Sequence, residues 1–239
     1  MILNPTIISI TVRGLLGRRR VLLLIPLPLI VIGIALLAQQ ATKPETVDII
    51  DGLGIAAVLP LTALIVGTAV LGSEMEDGNL VHILAKPVSR AEILLSKLAV
   101  AILVTALAGA VPVVIAGIVI TGSYGSLAQG FLVAALAGAV LYPAIFVALS
   151  AMTKRAVVFG LVYLLLWEGV LGTWLKGTRV LSVRHYLWRF ADAASTSPFI
   201  SADVSFATAV IMSAVLLALA GWFGTERLRS YHMAHDATQ

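Results

Sequence analysis

The composition of this 239-residue chain excludes a water-soluble domain, because 60% of its residues are hydrophobic and only 12% are charged, against about 25% charged in soluble domains. The net charge is +4, but the basic residues fall in short gaps between apolar blocks. Such gaps set membrane orientation, so we do not expect a nucleic-acid partner. The absence of cysteine excludes disulfides, thiolate metal sites and cysteine nucleophiles.

Six apolar blocks follow one another along the chain, each close to the length that a helix needs to cross about 30 Å of hydrocarbon. The sequence shows no strand alternation, and lipid leaves open sheet edges without hydrogen-bond partners. We therefore predict an all-α integral membrane protein, with residues 1–239 forming one transmembrane domain. The six predicted spans are 21–37, 52–71, 98–120, 131–152, 157–175 and 206–223.

Two segments outside these spans have the pattern of amphipathic helices. Before span 1, Asn4 is placed to cap a helix with Pro5 in its first turn, which would run up to a cluster of arginines. Between spans 5 and 6, apolar residues from Val183 to Ala194 recur at helical spacing, which predicts an amphipathic helix lying in the outer interface. The alternative for both segments is a frayed end of the neighbouring span.

Span 4 carries a face of small residues at a spacing of four, which favours close contact with other helices. These residues are Ala134, Ala135, Gly138 and Ala139.

The distribution of Lys and Arg predicts the orientation of the spans. With both termini in the cytoplasm, eleven of the sixteen basic residues lie on the cytoplasmic side, as the positive-inside rule requires. Residues 43, 122 and 184 would then lie outside the cell's inner membrane. Four of the five remaining basic residues lie between spans 5 and 6, which makes that stretch the weakest part of the topology.

The motifs of familiar catalytic sites are missing from the sequence. None of the five lysines follows a glycine, so there is no phosphate-binding loop of the Walker A type, and the chain is not expected to be an enzyme. His232 and His235 have metal-ligand spacing but stand without cysteines or paired carboxylates, so we predict no metal site. Ser182, His185 and Asp192 resemble a hydrolytic trio, but on an interfacial helix they are expected to be solvated.

Glu168 is the one acidic residue well inside a predicted span. A charge at the centre of a membrane helix costs about 2.5–3.5 kcal/mol on insertion scales. We therefore predict a structural or gating role, with the charge offset by Arg179, by Arg184 or by a water-filled pathway. The alternative is that span 5 is shorter than predicted and that Glu168 simply reaches the interface.

The segment 73–97, between spans 2 and 3, contains two capping-box patterns. Ser73 with Glu76, and Ser89 with Glu92, match the arrangement in which a serine and a glutamate cap the same helix start. The pattern predicts that one short helix begins at Ser73 and that the helix of span 3 begins at Ser89.

The first of these helices would cover residues 73–84, and Pro87 disfavours its continuation through Lys86. Acidic residues in its first turns and apolar residues further along would suit docking on a partner protein. The alternative is an ordinary loop with capped helix starts. The residues concerned are Glu74, Glu76, Asp77, Leu80, Ile83 and Leu84.

The same segment resembles the corresponding loop of bacterial ABC type-2 transporter permeases. The resemblance lies in Glu76-x-Gly78-Asn79-Leu80 and Leu84-Ala85-Lys86-Pro87-Val88-Ser89-Arg90, followed by Lys97 at the start of span 3. Asn79 stands where the family usually has threonine. The six spans, the N-terminal helix and Trp167-Glu168-Gly169 extend the resemblance over nearly the whole chain.

The resemblance implies the membrane subunit of an ATP-driven exporter. In that family two permease chains, identical or related, enclose a pathway, and two cytosolic ABC ATPase subunits bind ATP and Mg, so that the permease itself has no cofactor. Short outer helices between spans 5 and 6 cap the pathway. The loop is the cytoplasmic coupling helix, and the residues implied in ATPase contact are Glu74, Glu76, Asp77, Gly78, Leu80, Ile83, Leu84, Lys86, Pro87 and Arg90.

Two other functions remain open at this point. An ion-coupled secondary carrier or a membrane-embedded enzyme would need several ionisable residues converging inside the spans, and Glu168 alone is available.

Overall fold

The computed structural model describes residues 5–16, 24–40, 42–76, 89–123, 125–172 and 176–236, and these ranges contain helices and short connections but no strand. The all-α prediction is therefore confirmed for them. The α-helices are α1 (Pro5–Leu16), α2 (Pro26–Leu37), α3 (Lys43–Ile49), α4 (Leu59–Glu76), α5 (Arg90–Thr105), α6 (Val111–Thr121), α7 (Ser126–Met152), α8 (Ala156–Val162), α9 (Val183–Ala194) and α10 (Phe206–Asp236).

Wider, π-helical turns join several of these helices. Ile50–Val58 connects α3 to α4, and Ala106–Ala110 connects α5 to α6. In both places a proline, Pro60 or Pro112, follows at the start of the next helix. Proline lacks the N–H for the usual bond to the carbonyl four residues earlier, so the preceding turn widens. Two further segments are the π-helical Tyr163–Leu171, which continues α8, and the 3₁₀-helical Lys176–Leu181.

Four of the described helical segments are long and apolar enough to cross a membrane. They are Pro44–Gly72, Arg90–Thr121, Ser126–Met152 and Phe206–Arg227, and they contain predicted spans 2, 3, 4 and 6. The chain is thus a multi-pass membrane protein. Predicted spans 1 and 5 coincide with shorter apolar helices, Pro26–Leu37 and Ala156–Leu171. The count of six spans therefore stays a prediction.

Helix α7 lies at the centre of the bundle, in contact with α4, α5, α6, α8, α9 and α10. Its small-residue face is buried as predicted: Ala134, Ala135 and Ala139 are at most 1% exposed. A Cβ placed on Gly138 would lie 2.5 Å from Leu59 Cδ2 of α4. The small residues therefore allow neighbouring helices to approach α7 closely.

A second apolar cluster packs α1 against one end of the bundle. Leu15 of α1 is buried together with Val70 of α4, Leu94 of α5 and Val147 of α7. The N-terminal helix is thus present and rests on the helices that flank residues 77–88. Its predicted cap, Asn4, lies outside the described residues, and its position relative to the membrane interface stays a prediction.

Gly67 provides a test of the packing between α4 and α7. A Cβ at this position would lie 2.9 Å from Phe146 Cβ and 3.3 Å from the backbone nitrogen of Val147. Overpacking costs about 1–3 kcal/mol, while alanine gains up to about 1 kcal/mol in helix propensity. We expect Gly67→Ala to lower the melting temperature in detergent. Gly72→Ala is the matched control, because nothing lies within 4 Å of that Cβ, and equal melting temperatures for the two variants would contradict this packing.

Candidate functional site

Helix α9 is present as predicted and runs along α7, while its position relative to the membrane interface stays a prediction. A Cβ on Gly138 would lie 2.9 Å from Leu187 Cδ1, and a Cβ on Gly130 would lie 3.2 Å from both Ala191 O and Ser195 Cβ. Residues later in α9 therefore contact residues earlier in α7, so the two helices are antiparallel. The buried face of α9 fits the small-residue face of α7, and it consists of Val183, Tyr186, Leu187 and Ala191.

The N-terminus of α9 consequently lies deep in the bundle. Gly138, opposite Leu187, is at the middle of the 27-residue α7, which is about 40 Å long. Val183 is one turn deeper than Leu187. The first N–H groups of a helix have no partner within the helix, and lipid provides no water to replace one. This helix end therefore needs a cap from the protein.

Glu168 provides the cap. Its Oε1 accepts hydrogen bonds from the Tyr163 hydroxyl at 2.7 Å and the Val183 N–H at 2.9 Å. Its Oε2 accepts from the Ser182 hydroxyl at 2.6 Å and the Arg184 N–H at 3.3 Å. The residue is 6% exposed. The positive end of the α9 dipole and these charge-assisted bonds together compensate the buried carboxylate.

The partners of Glu168 differ from those predicted. The Arg184 guanidinium binds Asp51, and the Arg179 guanidinium binds Asp203. Only the backbone N–H of Arg184 reaches Glu168. Glu168 is buried within the bundle. The alternative prediction, a shortened span 5 in which Glu168 reaches the interface, stays untested, because residues 173–175 lie outside the described ranges.

Asp51 holds α9 from a second side and was missed in the sequence. Its carboxylate accepts from Arg184 Nε at 3.1 Å, from a second guanidinium nitrogen of Arg184, and from Trp188 Nε1 at 2.6 Å. The predicted span 2 began one residue after Asp51, and Arg184 lies 133 residues away in the chain. The available signal was an acidic residue in the apolar sequence Ile50-Asp51-Gly52-Leu53.

The possible hydrolytic trio is not assembled. Asp192 binds Arg189 on the same helix, while Ser182 is fully buried and donates its hydroxyl to Glu168. His185 Nδ1 lies 3.0 Å from Ser182 Oγ, and since the serine hydrogen is already used, the imidazole is the donor. Ser182 was expected to be solvated, which is wrong. In the part of the chain that the structure describes, no three His, Asp or Glu residues gather as a metal site.

The predicted coupling segment is only partly described. Helix α4 continues through Ser73 and Glu74 to Glu76, so the prediction that a separate helix begins at Ser73 is wrong. The predicted helix start at Ser89 is confirmed. Its Oγ accepts a hydrogen bond from the Glu92 N–H at 3.2 Å, and α5 begins at Arg90. The remaining predicted contact residues lie outside the described ranges, and their roles stay predictions: Asp77, Gly78, Leu80, Ile83, Leu84, Lys86 and Pro87.

The cap at Glu168 predicts a specific loss of stability. In Glu168→Gln one acceptor oxygen becomes an NH₂ group, so two donors lose their acceptor, at about 1–3 kcal/mol for each unsatisfied group. We expect a clear fall in melting temperature. Glu45→Gln is the control, because the exposed Glu45 carboxylate also accepts a backbone N–H, that of Thr42 at 2.7 Å. A fall no larger than that of the control would show that Glu168 is not a buried cap.

The ion pair between Asp51 and Arg184 can be measured with a double-mutant cycle. Both side chains are less than one-quarter exposed, and such charged hydrogen bonds contribute about 1.5–3 kcal/mol. We expect Asp51→Asn and Arg184→Gln to show a coupling free energy in that range for unfolding in detergent. The control cycle uses Arg189 and Asp192, three residues apart on one helix, for which about 0.5 kcal/mol or less is expected. Equal coupling free energies in the two cycles would show that the ion pair between Asp51 and Arg184 does not hold α9 in place.

A family model described as "ABC-2 family transporter protein" matches residues 27–223. A comparison with individually curated proteins gives no match. The matched residues extend from α2 into α10 and include Asp51, Glu168 and α9. Membership implies a permease that is the membrane component of a transporter and that associates with an ABC ATPase subunit. The chain belongs to the ABC-2 family of transporter proteins.

Proposed function

We propose that this chain is the permease subunit of an ATP-driven exporter and forms half of its translocation pathway. The observation that carries the proposal is the family match over residues 27–223. Two permease chains, identical or related, enclose the pathway, and two ATPase subunits bind ATP and Mg. The permease holds no cofactor of its own. It lies in the inner membrane with both termini in the cytoplasm.

The segment 73–97 is proposed as the coupling element. Helices α4 and α5 pack against each other, and residues 77–88 connect them directly. Because Ser89 caps α5, a displacement of this connection acts at once on the start of the next span. The acidic residues near the end of α4 and the apolar residues that follow are suited to a groove on the ATPase.

The opposite end of the bundle is proposed as the outer side of the pathway. There α9 occupies the space beside α7, held by Glu168 through its backbone and by Asp51 through its side chains. A helix anchored in this way fills the outer half of the bundle as far as the middle of α7. Glu168 would therefore have a structural role in closing the outer side, and movement of α9 would be needed to open it.

Helix α10 supports a second permease chain and lipid as further partners. Only 11% of its most apolar window is buried within this chain. Its exposed residues, such as Ile211 at 60% and Trp222 at 65%, need an apolar environment, which lipid and a second copy provide. An ion-coupled carrier or an enzyme is not favoured, because Glu168 and Asp51 are both engaged in holding α9.

The test uses the permease expressed together with its ABC ATPase subunit. We expect Leu80→Asp and Ile83→Asp to abolish transport and copurification of the ATPase while the permease still inserts. Glu76→Lys should give a milder, salt-sensitive loss of ATPase association, because exposed ion pairs contribute little to binding free energy. Ser201→Asp, at an exposed polar residue in the connection between α9 and α10, is the control for adding an acid away from this segment. Full transport and full ATPase binding in the Leu80 and Ile83 variants would contradict coupling through this segment.

A further inference from the structure

Lys97 is a buried lysine that the proposed function leaves unexplained. Although lysine is a charged residue, this side chain is only 1% exposed and lies on α5 among apolar residues. Its Nζ donates a hydrogen bond to the backbone carbonyl of Val70 on α4, at 2.9 Å. The surrounding cluster joins α4, α5 and α7, and includes Val66, Leu94, Val100, Ala101 and Ala151.

Burying an ammonium at this position costs more free energy than burying an apolar side chain. Taking a charged group out of water costs several kcal/mol even after the protein relaxes, and well-packed apolar replacements for buried charges are often neutral or stabilising. Lys97 lies seven residues beyond Arg90, about 10 Å along the helix, so its long side chain could extend toward the nearer end of the bundle. It turns to α4 instead. The lysine therefore links α5 directly to α4, which an apolar side chain at this position could not do by hydrogen bonding.

The bond joins the two helices at matching distances from the connection between them. Val70 lies six residues before Glu76, the end of α4, which is about 9 Å along that helix. Lys97 lies about as far from the start of α5. The bond thus links α4 and α5, the two helices that residues 77–88 connect, and it is called the brace below. Because the acceptor is a backbone carbonyl, the brace fixes the helix itself and not a mobile side chain.

We propose that Lys97 is a positioning residue that makes α4 and α5 move as one body when the connecting segment is displaced. The proposal rests on the coupling function proposed above. Helix α5 also reaches α10, where a Cβ on Gly224 would lie 2.8 Å from Leu94 Cδ2. Movement of the braced pair is thereby passed to α10 as well as to α7. Without the brace, α4 and α5 respond separately, and ATP hydrolysis drives less transport.

The experiment uses the purified permease–ATPase complex in proteoliposomes, with ATP hydrolysis and the transport of a compound to which a strain lacking this permease is hypersensitive measured on the same sample. We expect Lys97→Met to keep ATPase binding and ATP hydrolysis but to reduce transport per ATP hydrolysed by about tenfold, the factor that corresponds to losing one hydrogen bond from a charged donor. Lys97→Arg keeps a donor and should retain an intermediate ratio. Lys154→Met, at an exposed lysine just after α7, should behave as wild type.

The readouts separate the possible outcomes. All values are taken per folded complex, with Lys97→Gln as a second variant, so loss of folded protein is not counted as loss of coupling. A wild-type transport-to-hydrolysis ratio in both Lys97→Met and Lys97→Gln would overturn the proposal. A proportional loss of hydrolysis and transport would also overturn it, because it would show a general structural role. Wild-type protein without ATP-dependent transport would instead refute the proposed function.

Discussion

The absence of water in lipid is the constraint on which the rest of this structure depends. Every backbone N–H and C=O in the membrane must find its partner within the protein, which makes a bundle of helices the accessible solution. A helix that begins inside the bundle breaks that rule unless its first N–H groups are capped. Glu168 meets this need for α9 with two backbone N–H groups and two hydroxyls. The capping of the α9 N-terminus thus depends on one carboxylate.

Among the described residues, two groups of buried polar contacts link different elements of the bundle. In one group, Glu168 and Asp51 fasten α9 to the segments that follow α8 and α3. In the other group, Lys97 fastens α5 to α4. Between them, the core is almost entirely apolar and is centred on α7. Such a core transmits helix movements as rigid-body shifts, because close-packed interiors deform little.

The sequence predicted the helical fold and the small-residue face of α7, since both follow from local hydrophobicity and residue size. It also identified the Ser89 cap and the importance of Glu168. It did not predict that α9 lies along α7, because an amphipathic pattern has the same period whether its apolar face meets lipid or another helix. Asp51 and Lys97 were missed as site residues because their partners, Arg184 and Val70, are fixed by tertiary packing.

Hydrogen exchange of the backbone amides in the first turn of α9 tests the central claim most directly. The measurement compares the amides of Val183 and Arg184 with those in the middle of α7, in a lipid nanodisc. The account predicts that both sets exchange slowly in the wild type, and that Glu168→Ala accelerates exchange only in α9. Rapid exchange of Val183 and Arg184 in the wild type would place this helix end in water and contradict the account.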